Sequence, residues 1–195
     1  MAMESGDRAL DNAMTAFAQS ASGGGLSSGV NALIAEAGRL RERPDEALAL
    51  LQRARAAAPR HPVPLIALYR FYFYGHQLAQ ARAIGEDALA VARTALGSDS
   101  GEEPFAAVNV ATRYDAGARF YLFTLKGLVY LNMRLGDFEE ARMLLRQLRR
   151  LDPEDRVGGA LLSHVLDRHE TGAGSDDAMD ALSAYPTRGW TGTQP

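Results

Sequence analysis

Apolar side chains recur along this chain with a helical period, broken at short intervals by Pro, Gly and Asp. The run PVPLIALYRFYFYG, Pro62 to Gly75, is the most apolar and aromatic, and the reading is organised around it. Leu65, Leu68, Tyr69 and Tyr72 follow i, i+3, i+4 and i+7, while Ile66, Phe73 and Tyr74 make a second face apolar. A helix apolar on two faces needs neighbours on both, and the helical stretches 28–58 and 78–96 are placed to supply them.

The same period predicts the other elements. A short amphipathic helix is expected over 6–21, with Leu10, Ala13, Met14 and Phe17 on one side. The SGGGLSSG run, Ser22 to Gly29, reads as a linker, since a phosphate-cradling loop needs a lysine that is absent here. Helices follow from Ser28 to Arg43-Pro44, from Asp45 to Ala58, from Pro62 to Gly75 and from Gln77 to Leu96. SDSGEEP (98–104) is a loop by composition, and FAAVNVAT (105–112) fits a short helix or an extended piece equally. Asp115–Leu135 and Phe138–Leu151 are strongly periodic, a last helix is expected over 154–170, and 171–195 reads as a flexible polar tail.

Composition narrows the class. At 195 residues with 47% hydrophobic side chains, the chain has a globular make-up. It has no cysteine, which excludes disulfides, thiolate nucleophiles and iron–sulfur ligation by this chain. Net charge is −3, so no basic excess marks a nucleic-acid reader. Lys126 is the single lysine among 21 basic residues, a bias of GC-rich bacterial genomes. No run approaches the ~18 apolar residues of a membrane span. The start, MAMESGDRAL, lacks the pattern of a secretory signal, so cytoplasmic location and no membrane insertion are expected.

A repeat underlies the helices. Ala47-x3-Leu51-x2-Ala54, Ala81-x3-Gly85-x2-Ala88 and Ala141-x3-Leu145-x2-Leu148 match one another, and Ala47 to Ala81 is 34 residues. GDFEEA (Gly136–Ala141) and RPDEA (Arg43–Ala47) occupy the corresponding turns. This spacing resembles the tetratricopeptide repeat, a 34-residue helix–turn–helix unit with small residues where its two helices cross. The resemblance implies an all-α fold of antiparallel helix hairpins stacked as a short right-handed solenoid. Its domain would span 28–170, with units at about 28–61, 62–95 and 122–155, an insertion over 96–121 and a capping helix at 154–170. Residues 1–27 would precede it as helix and linker. Gly85 in place of the usual aromatic, Arg93 where proline is common, and the 60-residue step from Ala81 to Ala141 depart from the pattern.

In that family the first helix of each unit lines a concave groove. By resemblance the groove positions are Glu36, Arg39 and Leu40, then Val63, Ile66, Arg70, Phe73 and Tyr74, then Phe123, Lys126, Tyr130, Met133 and Arg134. Aromatics with Arg and few acids is the composition of binding hot spots. The expected function is therefore a non-enzymatic adaptor or assembly factor, holding a protein or peptide segment, with partner-binding residues Glu36, Arg39, Arg70, Phe73, Tyr74, Phe123, Lys126, Tyr130, Met133 and Arg134. An accessory role in a bacterial multiprotein, metalloenzyme-maturation or secretion system is a special case. The alternative that these positions are core, under residues 6–21 or 97–115, stays open. The family's carboxylate clamp needs Asn at two ninth positions, and these are Glu36, Arg70 and Tyr130, so chaperone-tail binding is not expected.

The remaining candidates are weaker. Arg142, Arg146, Arg149 and Arg150 form a basic stripe, the basis of an alternative reading as a nucleic-acid-linked regulator, although Glu139, Glu140 and Asp152 balance it. His164 and His169, five apart, do not share a helix face and make a poor metal site. No catalytic residues, cofactor or metal are expected. Trp190 in the polar tail has a large apolar surface, with three readings: docked on the protein's own groove, on a partner, or on nothing.

Overall fold

A computed structural model of the chain describes residues 26–40, 42–96 and 116–170. Among the described residues there are seven helices and no strand: α1 (Ser28–Arg39), α2 (Pro44–Ala57), α3 (Pro62–Tyr74), α4 (Leu78–Ala95), α5 (Ala116–Leu135), α6 (Phe138–Leu151) and α7 (Ala160–Glu170). The expected helix over 6–21, most of the Gly/Ser linker, the segment 97–115 and the tail with Trp190 lie outside the described residues.

Local chemistry sets the boundaries. The Ser27 hydroxyl caps α1 by accepting from the Val30 N–H. Pro44 opens α2 with Asp45 and Glu46 in its first turn, where the helix dipole favours acids. At α3 the cap is an imidazole: His61 Nδ1 accepts from the Val63 N–H at 3.3 Å, ahead of Pro62. α3 ends in a Schellman turn, with the Gln77 N–H on the Tyr72 carbonyl at 2.9 Å and the His76 N–H on Phe73 at 3.1 Å. The left-handed residue of that turn is His76 (φ 56°) and not the neighbouring Gly75. α5 closes with the same pair of bonds, Asp137 to Asn132 and Gly136 to Met133, with Gly136 in the left-handed position.

The helix expected over 154–170 is shorter than its sequence span, because two aspartates hold the chain in turns until Ala160. The buried Asp152 carboxylate accepts the Val157 N–H at 2.8 Å, and Asp155 accepts the Ala160 N–H at 2.9 Å. Asp155 and Gly158 both take positive φ, which no helix continues through. α5 begins at Ala116, one residue after the expected start at Asp115, so 116–121 of the expected insertion are helical.

Each helix packs on the next in sequence, and α5 also packs on α7. Connections of two to four residues between α1 and α2, α3 and α4, and α5 and α6 turn each pair back on itself. α5, rather than α3, is the hub. Its buried residues include Phe120, Tyr121, Leu122, Phe123, Leu125, Leu128, Val129, Tyr130 and Leu131, so it is covered on all sides. The repeated small residues Ala47, Ala54, Ala81 and Ala141 are fully buried. Buried polar groups are satisfied: Asn132 donates to the Leu128 carbonyl and accepts from Arg82, and Gln147 donates to the Tyr121 hydroxyl. Ion pairs Arg55–Asp87 and Arg82–Asp137 tie α2 to α4 and α4 to the α5–α6 turn.

Two glycines let α3, α4 and α5 close together around one phenol. A Cβ on Gly85 would lie 2.9 Å from Leu128 Cδ2 and 3.6 Å from the Tyr69 ring; one on Gly127 would lie 2.9 Å from the Tyr69 hydroxyl. Tyr69 thus stands between α4 and α5 in a slot that only glycine leaves open.

That slot gives a sign test. Alanine is favoured over glycine inside a helix by about 1 kcal/mol, whereas overpacking costs about 1–3 kcal/mol. Gly127→Ala should therefore destabilise the native protein in urea, yet stabilise a Tyr69→Phe background, where the nearest remaining ring atom, at 3.7 Å, is an ordinary contact. The same effect in both backgrounds would place the constraint elsewhere.

The imidazole cap predicts a pH dependence. Burial lowers the His61 pKa below 6.5, so the unfolded chain takes up its proton first as pH falls. The cap's contribution is present above about pH 6.5 and lost on acidification, because an imidazolium cannot accept the Val63 N–H. Wild type should lose about half a kcal/mol or less across that range, and His61→Ser should lose this component. Matched urea titrations at about pH 7.5 and about pH 5, either side of the free imidazole pKa, measure it.

Candidate partner-binding surface

α3 and α5 present a connected set of rings. Counting from Tyr69, Phe73 is one helical turn on, and the two rings stack with centroids 5.7 Å apart and planes 12° apart. Phe73 meets Tyr74 edge-on at 5.5 Å and reaches across to Tyr130 of α5 at 5.8 Å. One turn further along α5, Arg134 lies over the Tyr130 ring, 5.9 Å from its centroid, and donates from Nη1 to its hydroxyl at 2.9 Å. Aromatic pairs of this kind contribute about 0.5–1.5 kcal/mol beyond the area they bury. The series therefore runs Tyr74, Phe73, Tyr130, Arg134, joining two helices that are remote in sequence.

Burial grades the set. Phe73, Tyr74, Arg70 and Arg134 are half-buried, and Tyr130 is only 6% exposed. Burial pushes the Tyr130 phenol above its usual pKa of 10, and the adjacent Arg134 guanidinium partly opposes that shift by charge and hydrogen bond. What the arrangement offers is a rigid aromatic patch with a cation held at its edge by the patch itself.

The other expected positions fall elsewhere. Phe123 and Met133, 7% and 1% exposed, are core residues, as are Ile66 and Leu40. Their groove assignment is corrected because α5 is covered on that side as on the others. Lys126 is a tether: its ammonium donates to the Val157 carbonyl at 2.7 Å and holds the turn before α7. Burial lowers its pKa, and Asp155 raises it in part. Glu36 and Arg39 pair with each other across one turn of α1. Val63 is half-buried at the start of α3. Tyr69 was read as a core-stripe residue; its place four residues before Phe73 is the signal that it belongs with the ring series.

Elsewhere the basic stripe is divided among partners. Arg142 pairs with Glu139, Arg149 reaches the Ser163 hydroxyl of α7 at 3.5 Å, and Arg150 borders a cleft between α4 and α6. Arg146 is exposed. His169 stacks on Phe138 with centroids 3.9 Å apart, while His164 lines a separate depression with Arg149 and Asp167. Among the described residues no group of three or more His, Cys, Asp and Glu could hold a metal ion, and no helix is long and apolar enough to cross a membrane. The cavity beside Tyr69 and Gly85 holds about 20 Å³, room for one water at most.

Over 122 residues the chain is 38% identical to a protein of Azotobacter chroococcum mcd 1 named "Uncharacterized 19.8 kDa protein in nifW 5'region". That match takes in 61% of this chain and 68% of the relative. The chain belongs to that protein's family. No family model and no solved structure matches it.

The Tyr130–Arg134 pair predicts alkaline behaviour. A phenol with a raised folded pKa contributes stability that is full below about pH 10 and lost as pH rises through the folded value, because the unfolded chain releases that proton first. Between about pH 9 and about pH 11, urea midpoints of wild type should fall more steeply than those of Tyr130→Phe. Equal slopes would show that the phenol is not protected.

Proposed function

We propose that this protein is a non-enzymatic tetratricopeptide-like adaptor, its helix hairpins stacked as a short solenoid, that holds a segment of a partner protein against the α3–α5 aromatic patch. The observation that carries this is the Tyr74–Phe73–Tyr130–Arg134 series. Phe73 and Tyr74, partly exposed and backed by the buried Tyr130, give contact area at little entropic cost, and Arg134 sets register on a partner carboxylate or carbonyl. The 34-residue spacing of the buried alanines supports the repeat reading.

The relative's name puts its gene in the 5′ region of nifW, a nitrogen-fixation gene. We therefore place the partner among bacterial nitrogen-fixation proteins, with an accessory role in metalloenzyme maturation in the cytoplasm. The nifW product is the first protein to test.

Isothermal titration of the purified protein with the nifW product is the direct experiment. Tyr74→Ala and Arg134→Gln should each weaken binding by about ten-fold or more, the scale of a lost hot-spot contact, and leave the melting temperature nearly unchanged. Unaltered affinity in both variants would remove the patch as the binding site. A large fall in melting temperature would make these residues structural.

A further inference from the structure

The aromatic patch occupies one side of α5, and a larger feature occupies the other. Leu128 lies two residues before Tyr130, about 200° round the helix, and forms part of the floor of a cleft of about 570 Å³ between α4 and α6. α4 runs antiparallel to α5, since Arg82 meets Asp137 while Gly85 meets Leu128. α6 is antiparallel to α5 too, since it follows a two-residue turn and Gln147 reaches back to Tyr121. The two walls of the cleft therefore run in the same direction.

Charge is sorted along those walls. Glu86 stands at the middle of α4, where it pairs with Arg82 at 3.8 Å, and Glu140 near the start of α6, while Arg93 and Arg150 stand toward the C-terminal ends. Between them Leu144 is buried, while Met143 is 50% exposed, one of the most exposed large apolar side chains among the described residues. At about 1.5 Å per residue the acid-to-base separation is roughly 10 Å along α4 and roughly 15 Å along α6. Two or three turns of a helix span that distance.

We infer that the α4–α6 cleft is a second docking site, for an amphipathic helix of a partner protein with basic residues at one end, acidic residues at the other and an apolar stripe between. The basic end lies over Glu86 and Glu140, the acidic end over Arg93 and Arg150, and the stripe over Met143 and Leu144. Nucleic acid does not fit, because the glutamates repel its backbone along half of the cleft. The inference is independent of the function proposed for the aromatic patch, which faces away from this cleft.

Fluorescence anisotropy of labelled synthetic helical peptides of about 15 residues, added to the full-length protein, tests it. One peptide carries two Lys in its first turn, two Glu in its last and a Leu stripe; two controls carry Lys at both ends or Glu at both ends. The mixed peptide should bind at least about ten-fold more tightly than either control. Met143→Glu should abolish that binding, and the Arg93→Glu/Arg150→Glu double variant should switch preference to the peptide with Lys at both ends. Tyr74→Ala should change nothing, which separates this site from the aromatic patch. Equal binding of the three peptides, or none by the mixed one, overturns the inference. So does tight binding of a synthetic 171–195 peptide in its place, which would give the cleft to the chain's own tail. A dimer dissociated by the double variant would give it to a second copy.

Discussion

A helix buried on every side can exist only where its neighbours approach from every side, and α5 sets that demand here. Its interior backbone groups are satisfied within the helix and its last carbonyls by the Gly136-Asp137 turn, so the remaining requirement is apolar cover for Phe120, Tyr121, Leu122, Leu125 and Leu131. α4 and α6 supply most of that cover, α7 adds to it, and Tyr69 and Phe73 of α3 reach Gly127 and Tyr130. Close approach on the α4 side depends on having no side chain at Gly85, where Leu128 packs, and none at Gly127, where the Tyr69 hydroxyl sits. Interiors are packed to crystal-like density, so a methyl group at either site has no free volume to enter.

The aromatic patch is a consequence of that hub. Tyr69 is fixed by the two glycines; Phe73 stacks on Tyr69, Tyr130 abuts Phe73, and Arg134 is held by Tyr130. Each member is positioned by the one before it. Another cation on this helix meets a different fate. Lys126 is spent on the carbonyl of Val157 and the turn that delays α7. Two basic side chains eight residues apart on one helix therefore do unrelated work, one holding the turn before α7 and the other lying over the Tyr130 ring.

Much of the helix pattern was legible because it rests on local rules. Pro44 and Pro62 mark helix starts, Gly136-Asp137 marks a turn, and the repeated Ala47, Ala54, Ala81 and Ala141 are all fully buried. What was not legible depends on partners distant in sequence. The 62–75 run has more aromatics than 116–135, so it reads as the centre, yet several of those rings sit at an edge and the plainer run is enclosed. Phe123 and Met133 have the composition of a groove and the burial of a core, a difference that only neighbouring helices decide. Asp152 and Asp155 look like ordinary helix-breaking loop residues; that their carboxylates would cap backbone N–H groups as far on as Ala160 is a three-dimensional fact. His76 in a left-handed turn is likewise hidden, since Gly75 beside it is the residue that sequence rules favour there.

The uneven connections show why the hub tolerates an irregular repeat. Connections of four, four, three, two and eight residues join the other consecutive helices, but twenty separate α4 from α5. Loop-closure entropy grows only with the logarithm of length, so lengthening a connection from four residues to twenty costs about 1.4 kcal/mol. Burying a single large apolar side chain contributes about 1.5–3 kcal/mol, and the α4–α5 contact buries several, Ile84, Leu89, Leu125 and Leu128 among them. The interface therefore outweighs the extra chain, and α5 packs against α4 as intimately as α6 packs against α5. Packing residues at the interface, rather than the distance along the chain between them, hold the register from one hairpin to the next.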